Sequence, residues 1–257
     1  MLMLDKINIE DIKDIALKAG TRVMEIYTMD FDITYKDDKS PLTQADIESN
    51  RIICEALREK YPSIPLLSEE NKEIAFEIRK TWEYYWCIDP IDGTKEFINR
   101  NGEFTVNIAL IHKGVPVLGV VYAPALDDIY YAKKGTGAYK NGMAFIGKED
   151  DSKFVIVASK SHMNDETSLF IDNIDTNKEK ILVSKGSSLK LCLVAEGIAD
   201  IYPRLAPTME WDTAAADAIV RESNKITCQF ETNELLQYNK KNLLNPWFIV
   251  KGSTDER

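Results

Sequence analysis

The sequence predicts a layered α/β sandwich, in which helices cover the faces of β-sheets. Apolar residues recur at helical spacing over residues 9–28, and Asn8 stands where a helix cap is expected. In the second half of the chain, short β-rich runs alternate with helical runs, which is typical of a sheet with helices packed on it. With 257 residues, the chain is long enough for one large domain or for two small ones that share a core.

The predicted elements divide at a charged run, residues 148–153. Before it we predict helices over 9–28 and from 41 to about 60, with strands that begin at Pro65 and run over 82–88, 104–111, 116–122 and 129–132. After it we predict strands over 154–158, 181–183, 201–202 and 246–250, with helices over 161–174, over 189–196 and from Trp211. The chain is therefore predicted to consist of two halves, residues 1–150 and 151–257.

Composition and charge argue against several classes of function. A net charge of −10 disfavours binding to a nucleic-acid polymer, which requires a basic face. No stretch is long and apolar enough to span a bilayer, and no signal peptide is visible, so we expect a cytoplasmic protein. The four cysteines form no C-x-x-C pair and are expected to be buried, reduced thiols. With only two histidines, a His/Cys transition-metal site is disfavoured.

The segment that follows the predicted strand at 82–88 carries most of the chemistry. Asp89 and Asp92 stand where that strand should end, because Pro90 cannot donate to a ladder and Gly93 permits a sharp turn. Carboxylates at the end of a buried strand need a positive partner, and a hard divalent cation is the usual one. A simple Asp-Pro and Asp-Gly turn that caps a helix is the alternative interpretation.

Other acidic residues also have two interpretations each. Thr43 and Asp46 match a helix-capping box, although Asp46 could also face an active site from the start of the same helix. Glu69 and Glu70 follow a short strand, where they could complement a helix dipole or place one ligand in a metal site beside Asp89. The residues alone leave both alternatives open.

Three motifs, in this order, resemble the inositol monophosphatase superfamily of metal-dependent phosphatases. They are Ser-Glu-Glu at 68–70, Asp-Pro-Ile-Asp-Gly-Thr at 89–94 and Trp-Asp-Thr-Ala-Ala at 211–215. Further segments are similar to the bacterial bisphosphate nucleotidase branch of that superfamily, namely residues 99–110, 119–124, 186–190 and 193–197. The resemblance covers nearly the whole chain. It implies an αβαβα sandwich of the sugar-phosphatase kind, with the active site between the two halves.

The resemblance also implies a role for each acidic position. The implied metal ligands are Glu69, Asp89, the backbone carbonyl of Ile91, Asp92 and Asp212. Of these, all but Asp89 would also border the substrate, and Glu69 would take part in catalysis; Glu70 is the second choice for its position. Thr94, paired with Asp46, would orient or deprotonate the attacking water. Gly93 and Thr94 would donate backbone N–H groups to the scissile phosphate.

Bound magnesium would meet the physical requirement of such a site. Carboxylates that lie together repel one another and resist leaving water, and a phosphate dianion adds to the repulsion. About two to three Mg²⁺ ions would make the net charge of the site positive toward the phosphate, and paired metals can stabilise both the attacking and the leaving oxygen. A metal also lowers the pKa of bound water, so no histidine base is needed, which agrees with the low histidine content.

A bisphosphorylated nucleotide requires a second anion site with cations of its own. The resemblance implies that Lys190 and Arg204 face the non-reacting 5′-phosphate, with Ser187 and His162 as further polar contacts. A guanidinium suits bidentate phosphate recognition better than an ammonium does. The alternative interpretation of these residues is that they are surface cations and, for Ser187, a helix cap.

The predicted activity is hydrolysis of the 3′-phosphate of adenosine 3′,5′-bisphosphate to give AMP and phosphate, with 3′-phosphoadenylyl sulfate as a further substrate in sulfur metabolism. One alternative is an inositol monophosphatase or fructose-1,6-bisphosphatase on the same scaffold. The other is a sensor that binds nucleotide and metal without catalysis. The resemblance also allows peripheral association with the inner membrane, whereas the oligomeric state and the adenine contacts are not predicted.

Overall fold

The computed structural model describes residues 3–29, 33–35, 41–71, 74–145, 147, 152–159 and 163–253. The helices are α1 (Ile9–Tyr27), α2 (Gln44–Lys60), α3 (Phe76–Arg79), α4 (Thr94–Ile98), α5 (Asp165–Asp172), α6 (Leu189–Glu196) and α7 (Glu210–Glu222), with a 3-10 helix at Met3–Lys6. The strands are β1 (Ile33–Tyr35), β2 (Pro41–Thr43), β3 (Leu66–Ser68), β4 (Tyr84–Asp92), β5 (Thr105–His112), β6 (Val115–Ala123), β7 (Asp128–Lys133), β8 (Ala138–Lys140), β9 (Met143–Ala144), β10 (Lys153–Ala158), β11 (Glu179–Ser184), β12 (Ile201–Arg204), β13 (Lys225–Gln229) and β14 (Phe248–Gly252).

The two long N-terminal helices form because their caps and their apolar faces agree. Asn8 caps α1 by accepting a hydrogen bond from the backbone N–H of Glu10 at 3.1 Å. Thr43 and Asp46 form the predicted capping box of α2, in which the Asp46 carboxylate accepts from the Thr43 N–H at 2.8 Å. Both helices bury one face against the first sheet, through Ile12, Ile15, Ala19, Ile53 and Leu57.

The first sheet has seven strands in the order β3-β4-β5-β6-β7-β8-β9. Strand β3 pairs with β4 in parallel, and the other neighbours are antiparallel. The parallel pair matters for function because it brings the carboxyl ends of both strands to the same edge. The backbone N–H of Glu69 continues the ladder by donating to the carbonyl of Ile88 at 3.1 Å. Glu69 is thereby placed next to Asp89.

The second sheet has five strands in the order β11-β10-β12-β14-β13. Strand β10 pairs in parallel with β11 and β12, while β14 is antiparallel to β12 and β13. Successive side chains of a strand point to opposite faces, so this sheet buries both of them. Tyr202 and Phe248 pack into a core shared with α6 and α7, whereas Ile201 and Ile249 pack into a second core with residues of α5.

Five layers result from this packing. They are α1 with α2, the seven-stranded sheet, α6 with α7, the five-stranded sheet and α5. One apolar core runs from the first sheet through α6 and α7 to the second sheet. The predicted mixed α/β class with αβαβα layers is confirmed.

Helix α7 approaches the first sheet so closely that only glycine fits beneath it. A Cβ added to Gly119, in β6, would lie 2.0 Å from the carbonyl oxygen of Ala215 and 2.9 Å from the Cβ of Ala218. Small residues on both elements therefore let the helix and strand backbones meet, as close packing requires. This contact fixes the position of α7 and of Asp212 in its first turn.

The end of β4 corrects one prediction. The strand runs from Tyr84 to Asp92 and does not stop before Asp89. Asp89 pairs with Asn107 and Asp92 pairs with Thr105, and the register shifts between the two pairs. The residues in the shift need no regular ladder partner, so a proline there is tolerated. The strand thus delivers both carboxylates to the site as part of the sheet.

Other differences concern short elements. Helix α5 begins later than predicted because Asn164, capping through its side chain, precedes it, and residues 161 and 162 lie outside the described part of the chain. Residues 41–43 form a strand before α2 and do not belong to that helix. Strands β1, β8, β9 and β13 were not predicted, since runs of two to five residues carry little periodic signal.

The predictions about cysteines, membrane spans and the two halves can be compared with the structure. Cys54, Cys87, Cys192 and Cys228 are free and buried, as predicted. Among the described residues, every helix is too short or too polar to cross a lipid bilayer. The seven-stranded and five-stranded sheets fall on either side of the charged run, while the division into halves at residue 150 stays a prediction.

Replacing Gly119 with alanine should destabilise the protein, because the added methyl group meets backbone atoms that cannot move aside. We expect the free energy of unfolding, measured by urea denaturation, to fall by about 3 kcal/mol. Gly252→Ala is the matched control, since a Cβ at that strand position meets nothing within 4 Å. Equal stability of Gly119→Ala and the native protein would contradict the close packing of α7 on β6.

Candidate active site

A cavity of about 270 Å³ lies at the end of β4. Its wall also includes the start of α4, the turn before α6, the end of β12 and the start of α7. The predicted site residues that line it are Glu69, Asp89, Ile91, Asp92, Gly93, Thr94, Ser187, Lys190, Arg204 and Asp212. Asp46 lies behind this wall in contact with Thr94. His162 falls outside the described residues, and Glu70 is not part of the wall.

The backbone holds three of the acids by one carboxylate oxygen each. Asp89 Oδ1 accepts from the N–H of Ile91 at 3.1 Å. Asp92 Oδ2 accepts from the N–H of Ser188, directly before α6, at 2.5 Å, and Asp212 Oδ2 accepts from the backbone N–H at the cap of α7 at 2.9 Å. The second oxygen of each acid is left for a ligand.

Glu69 reaches the cavity because its turn is held from α2. The hydroxyl of Ser68 donates to Asn50 Oδ1 at 2.7 Å, and the Asn50 amide donates to Asn71 at 3.4 Å. These bonds fix the chain on both sides of Glu69. Of the two adjacent acids, Glu69 lines the cavity and Glu70 does not, which agrees with the order of preference drawn from the sequence.

Burial and repulsion from neighbouring acids raise the pKa values of Asp89 and Asp212. The pKa of Asp89 lies well above its usual value, first because the group is buried and then because Glu69, Asp92 and Asp212 are negative nearby. Burial also raises the pKa of Asp212, with a further contribution from Asp92, while the hydrogen bond from the Met209 N–H opposes the shift. Asp89 and Asp212 are thus harder to ionise than an exposed aspartate, in part because of the charges around them.

The acids suit a hard divalent cation by their chemistry. Carboxylate and carbonyl oxygens are the ligands that Mg²⁺ and Ca²⁺ prefer, and the carbonyl of Ile91 adds one to the set. Within the described ranges, no three acidic, histidine or cysteine side chains converge on one point. The acids instead lie along one wall of the cavity. This common position, together with the effect of neighbouring negative charges on the pKa of Asp89, identifies them as the candidate metal ligands.

Thr94 joins the acids to the start of α2. Its hydroxyl donates to Asp46 Oδ1 at 3.2 Å and lies 3.3 Å from the carbonyl oxygen of Ile91. Asp46 Oδ2 accepts from both the N–H and the hydroxyl of Thr43, at 2.8 and 2.6 Å. The two interpretations of Asp46 are therefore compatible, because one oxygen caps a helix and the other accepts from Thr94 in the cavity wall.

Lys190 brings positive charge to the same cavity. Its ammonium donates to the carbonyl of Ser187 at 2.5 Å and lies 5.6 Å from the centre of the Tyr202 ring. Burial lowers the pKa of Lys190 to about 8, and the negative charge of Asp92 opposes that shift. Burial raises the pKa of Asp92 to about 6, and Lys190 in turn is the first opposing influence. The two residues therefore stabilise each other's charge.

Two buried donors in the cavity wall have no partner among the described residues. They are the Nε of Arg204 and the hydroxyl of Ser187. Arg204 uses Nη2 to donate to the carbonyl of Pro207 at 3.0 Å, which holds the guanidinium in place. A buried polar group without a partner is costly, so an oxygen-rich ligand would relieve both groups.

Several lining residues were not predicted from the sequence. They are Pro41, Lys95, Glu96, Ser159, Ser188, Leu191, Tyr202, Pro207, Thr208, Thr213 and Phe248. Ser188 could have been found, because it stands directly before a predicted helix, where side chains and N–H groups often bind ligands. Tyr202 could also have been found, since it lies in the strand that carries Arg204. Thr208 gave no local signal.

A layered α/β scaffold with an acid-lined cavity that also contains buried cations defines a hydrolase of phosphate esters. The chain belongs to the inositol monophosphatase family, whose model matches residues 4–252. Enzymes of this family are metal-dependent phosphatases. The family predicted from the three acidic motifs is confirmed.

Relatives with curated names are similar over almost the full chain. The 3′(2′),5′-bisphosphate nucleotidase CysQ of Salmonella typhimurium is 44% identical, with 94% of this chain and 98% of the relative covered. The protein of the same name from Escherichia coli strain K12 is 41% identical over the same shares. The crystal structure of CysQ from Bacteroides thetaiotaomicron, a bacterial member of the inositol monophosphatase family, superposes with a TM-score of 0.84 at 44% identity, covering 95% of this chain and 97% of that one.

Replacing Asp92 with asparagine should stabilise the metal-free protein near neutral pH. The folded-state pKa of about 6 lies above the usual 3.8, so the folded chain holds the proton more tightly and loses stability as pH rises from about 4 to about 6. Asparagine removes the charge and can still accept from Ser188. We expect a gain of the order of 2 kcal/mol in the free energy of unfolding, measured with chelator at about pH 7.5.

At about pH 4 the two proteins should have similar stability, because Asp92 is then largely protonated in the folded native protein. Asp128→Asn, on β7 away from the cavity, controls for the loss of an acid as such. A variant less stable than the native protein at both pH values would rule out repulsion at Asp92.

Proposed function

We propose that this protein is a 3′(2′),5′-bisphosphate nucleotidase that releases the 3′-phosphate of adenosine 3′,5′-bisphosphate, forming AMP and phosphate, and that also acts on 3′-phosphoadenylyl sulfate. The observation that carries the proposal is one cavity with two unlike parts, an acidic metal-binding set and a separate pair of buried cations. The names of the similar proteins support the same substrate. The cellular role would be removal of a by-product of sulfate assimilation in the cytoplasm.

The acidic part would hold magnesium. The proposed ligands are Glu69, Asp89, the carbonyl of Ile91, Asp92 and Asp212, for about two to three ions. When bound, magnesium supplies positive charge to the reacting phosphate and lowers the pKa of a bound water. The repulsion that raises the pKa of Asp89 would be relieved by a divalent cation, which would compete with protons for the same carboxylates.

Thr94 and Asp46 would orient the attacking water. Because the Thr94 hydroxyl donates to Asp46 Oδ1, its oxygen can accept a hydrogen bond from water and pass the proton toward the carboxylate. Gly93 adopts a left-handed φ of +91°, which turns the chain so that α4 starts at the cavity. The N–H groups of Gly93 and Thr94 would then donate to oxygens of the reacting phosphate.

The cationic part would bind the second phosphate. Arg204 is held through Nη2 and has an unpartnered Nε, so it can donate to a phosphate oxygen without losing a bond. Lys190 supplies a second charge and Ser187 a hydroxyl, and His162 remains a predicted further contact. A monophosphate such as inositol 1-phosphate has no group for these residues. A bisphosphorylated nucleotide is therefore the substrate that uses the whole cavity.

The proposal is tested by phosphate release from three substrates. With Mg²⁺, we expect kcat/KM for adenosine 3′,5′-bisphosphate to exceed that for inositol 1-phosphate by about 100-fold, because inositol 1-phosphate has no second phosphate for the cationic part of the cavity. Fructose 1,6-bisphosphate also carries two phosphates, so it tests whether the cavity requires a nucleotide. Chelator should remove the activity on all three. Preferential turnover of a sugar phosphate would assign the protein to the sugar phosphatases. Nucleotide binding without phosphate release would make it a sensor.

Arg204→Ala should weaken binding of the 5′-phosphate and leave hydrolysis of the 3′-phosphate almost unchanged. We expect KM for adenosine 3′,5′-bisphosphate to rise by about 30-fold, the usual effect of losing charge-assisted hydrogen bonds. Turnover of 3′-AMP, which carries only the reacting phosphate, should change by no more than about threefold. Arg58→Ala, on the exposed side of α2, is the control. Equal loss on both substrates would contradict the assigned role of Arg204.

A further inference from the structure

A short turn before α6 connects the two parts of the cavity. It consists of residues 185–188, and we call it the α6 turn. The N–H of Ser188 donates to Asp92, and the Ser188 hydroxyl lies 2.9 Å from Thr105 Oγ1 and 3.0 Å from Asn107 Oδ1. The carbonyls of Lys185 and Ser187 accept from the ammonium of Lys190. The position of this turn therefore sets the cationic part relative to the acidic part.

Glu103 holds the first half of the α6 turn. Its Oε2 accepts from the backbone N–H of Gly186 at 2.8 Å, and its Oε1 accepts from the ammonium of Lys185 at 2.9 Å. The carboxylate is mostly shielded, since about 27% of the side chain is exposed. Hydrogen bonds that a backbone N–H donates to a charged acceptor in such a setting are among the stronger ones. Glu103 does not itself line the cavity.

The local backbone shows why the turn needs to be held. Ser187 adopts φ +44°, a left-handed conformation that is unfavourable for a residue with a side chain. Gly186 has no room for a Cβ, which would lie 2.6 Å from the carbonyl oxygen of Glu103. The chain at Gly186 thus rests directly on the backbone of Glu103. Ser187 is therefore fixed between two held residues: Gly186, which contacts Glu103, and Ser188, which donates to Asp92.

We propose that Glu103 is a positioning residue for the second-phosphate site. It acts through the α6 turn, which carries Ser187 and provides the carbonyls that orient Lys190. This inference rests on the proposed function for the identity of the second anion. Next to the acidic part of the cavity, Ser188 keeps three further bonds to the first sheet, so Glu103 is not needed to hold the chain there. Its loss should affect the 5′-phosphate selectively.

The test compares Glu103→Ala, Glu103→Gln and the native protein in magnesium buffer. AMP, which carries only the second phosphate, is titrated by calorimetry, and turnover is measured with adenosine 3′,5′-bisphosphate and with 3′-AMP. For Glu103→Ala we expect AMP affinity to fall and KM for the bisphosphate to rise by about 10-fold, while kcat/KM for 3′-AMP stays within about twofold. Glu103→Gln should recover most of the loss, because its amide oxygen can still accept from Gly186.

The matched control is Asp128→Ala. Asp128 pairs with Lys140 at 3.1 Å and is about 24% exposed, much like Glu103 with Lys185, but it lies away from the cavity. It should leave both AMP affinity and turnover unchanged. If Glu103→Ala does not fold, Glu103→Gln decides alone, since it keeps the bond to Gly186 but loses the ion pair with Lys185. A residual KM increase of about threefold that is confined to the bisphosphate supports the inference, and kinetics equal to those of the native protein overturn it.

Two further results would overturn it. One is unchanged AMP affinity in a folded Glu103→Ala variant. The other is equal loss of turnover on the bisphosphate and on 3′-AMP, which would place Glu103 on the reacting side. If the native protein binds AMP but hydrolyses neither nucleotide, the proposed function fails while the AMP titration still decides the role of Glu103.

Discussion

The repulsion among the carboxylates at the end of β4 is the interaction on which the rest of the site depends. Asp89 is 2% exposed, and its pKa is raised by burial and by the charges of Glu69, Asp92 and Asp212. Such groups stay together only if the scaffold fixes each one separately. A strand irregularity holds Asp89, the turn before α6 holds Asp92 and a helix cap holds Asp212. The ligand geometry is therefore a property of the layered fold more than of any single motif.

The acidic and cationic parts of the cavity are not independent. Asp92 bonds to the backbone N–H of Ser188, and Lys190 bonds to the carbonyl of Ser187, so the two opposite charges are held by adjacent residues of one turn. Each charge shifts the other's pKa toward the ionised state. A substrate with two phosphates would replace part of this internal pairing by bonds to both parts. The local charge thus favours an anionic ligand although the whole chain is acidic.

The family, the fold class and fewer than half of the lining residues could be predicted, among them every proposed metal ligand, because each of those acids follows a local signal, such as a strand end or a helix cap. Asp46 shows the limit of such signals: the capping box accounts for it fully, and its pairing with Thr94 was predicted from the family resemblance alone. Pro90 was taken as the end of a strand, but a register shift lets β4 continue. Glu103 gave no signal, because the residues that it holds lie 82 and 83 positions later.

Two acids at the start of α7 separate a structural role from a functional one. Glu210 is fully buried, and its carboxylate accepts from the N–H groups of Asn239 and Lys240 at 2.7 and 2.9 Å and from the Lys240 ammonium at 2.7 Å. Asp212, two residues later, accepts one bond, from the Met209 N–H, and faces the cavity. Residue type and local sequence do not distinguish them. The number of protein partners does: an acid whose oxygens are satisfied internally anchors the helix, while one left half satisfied in a cavity is suited to bind a cation.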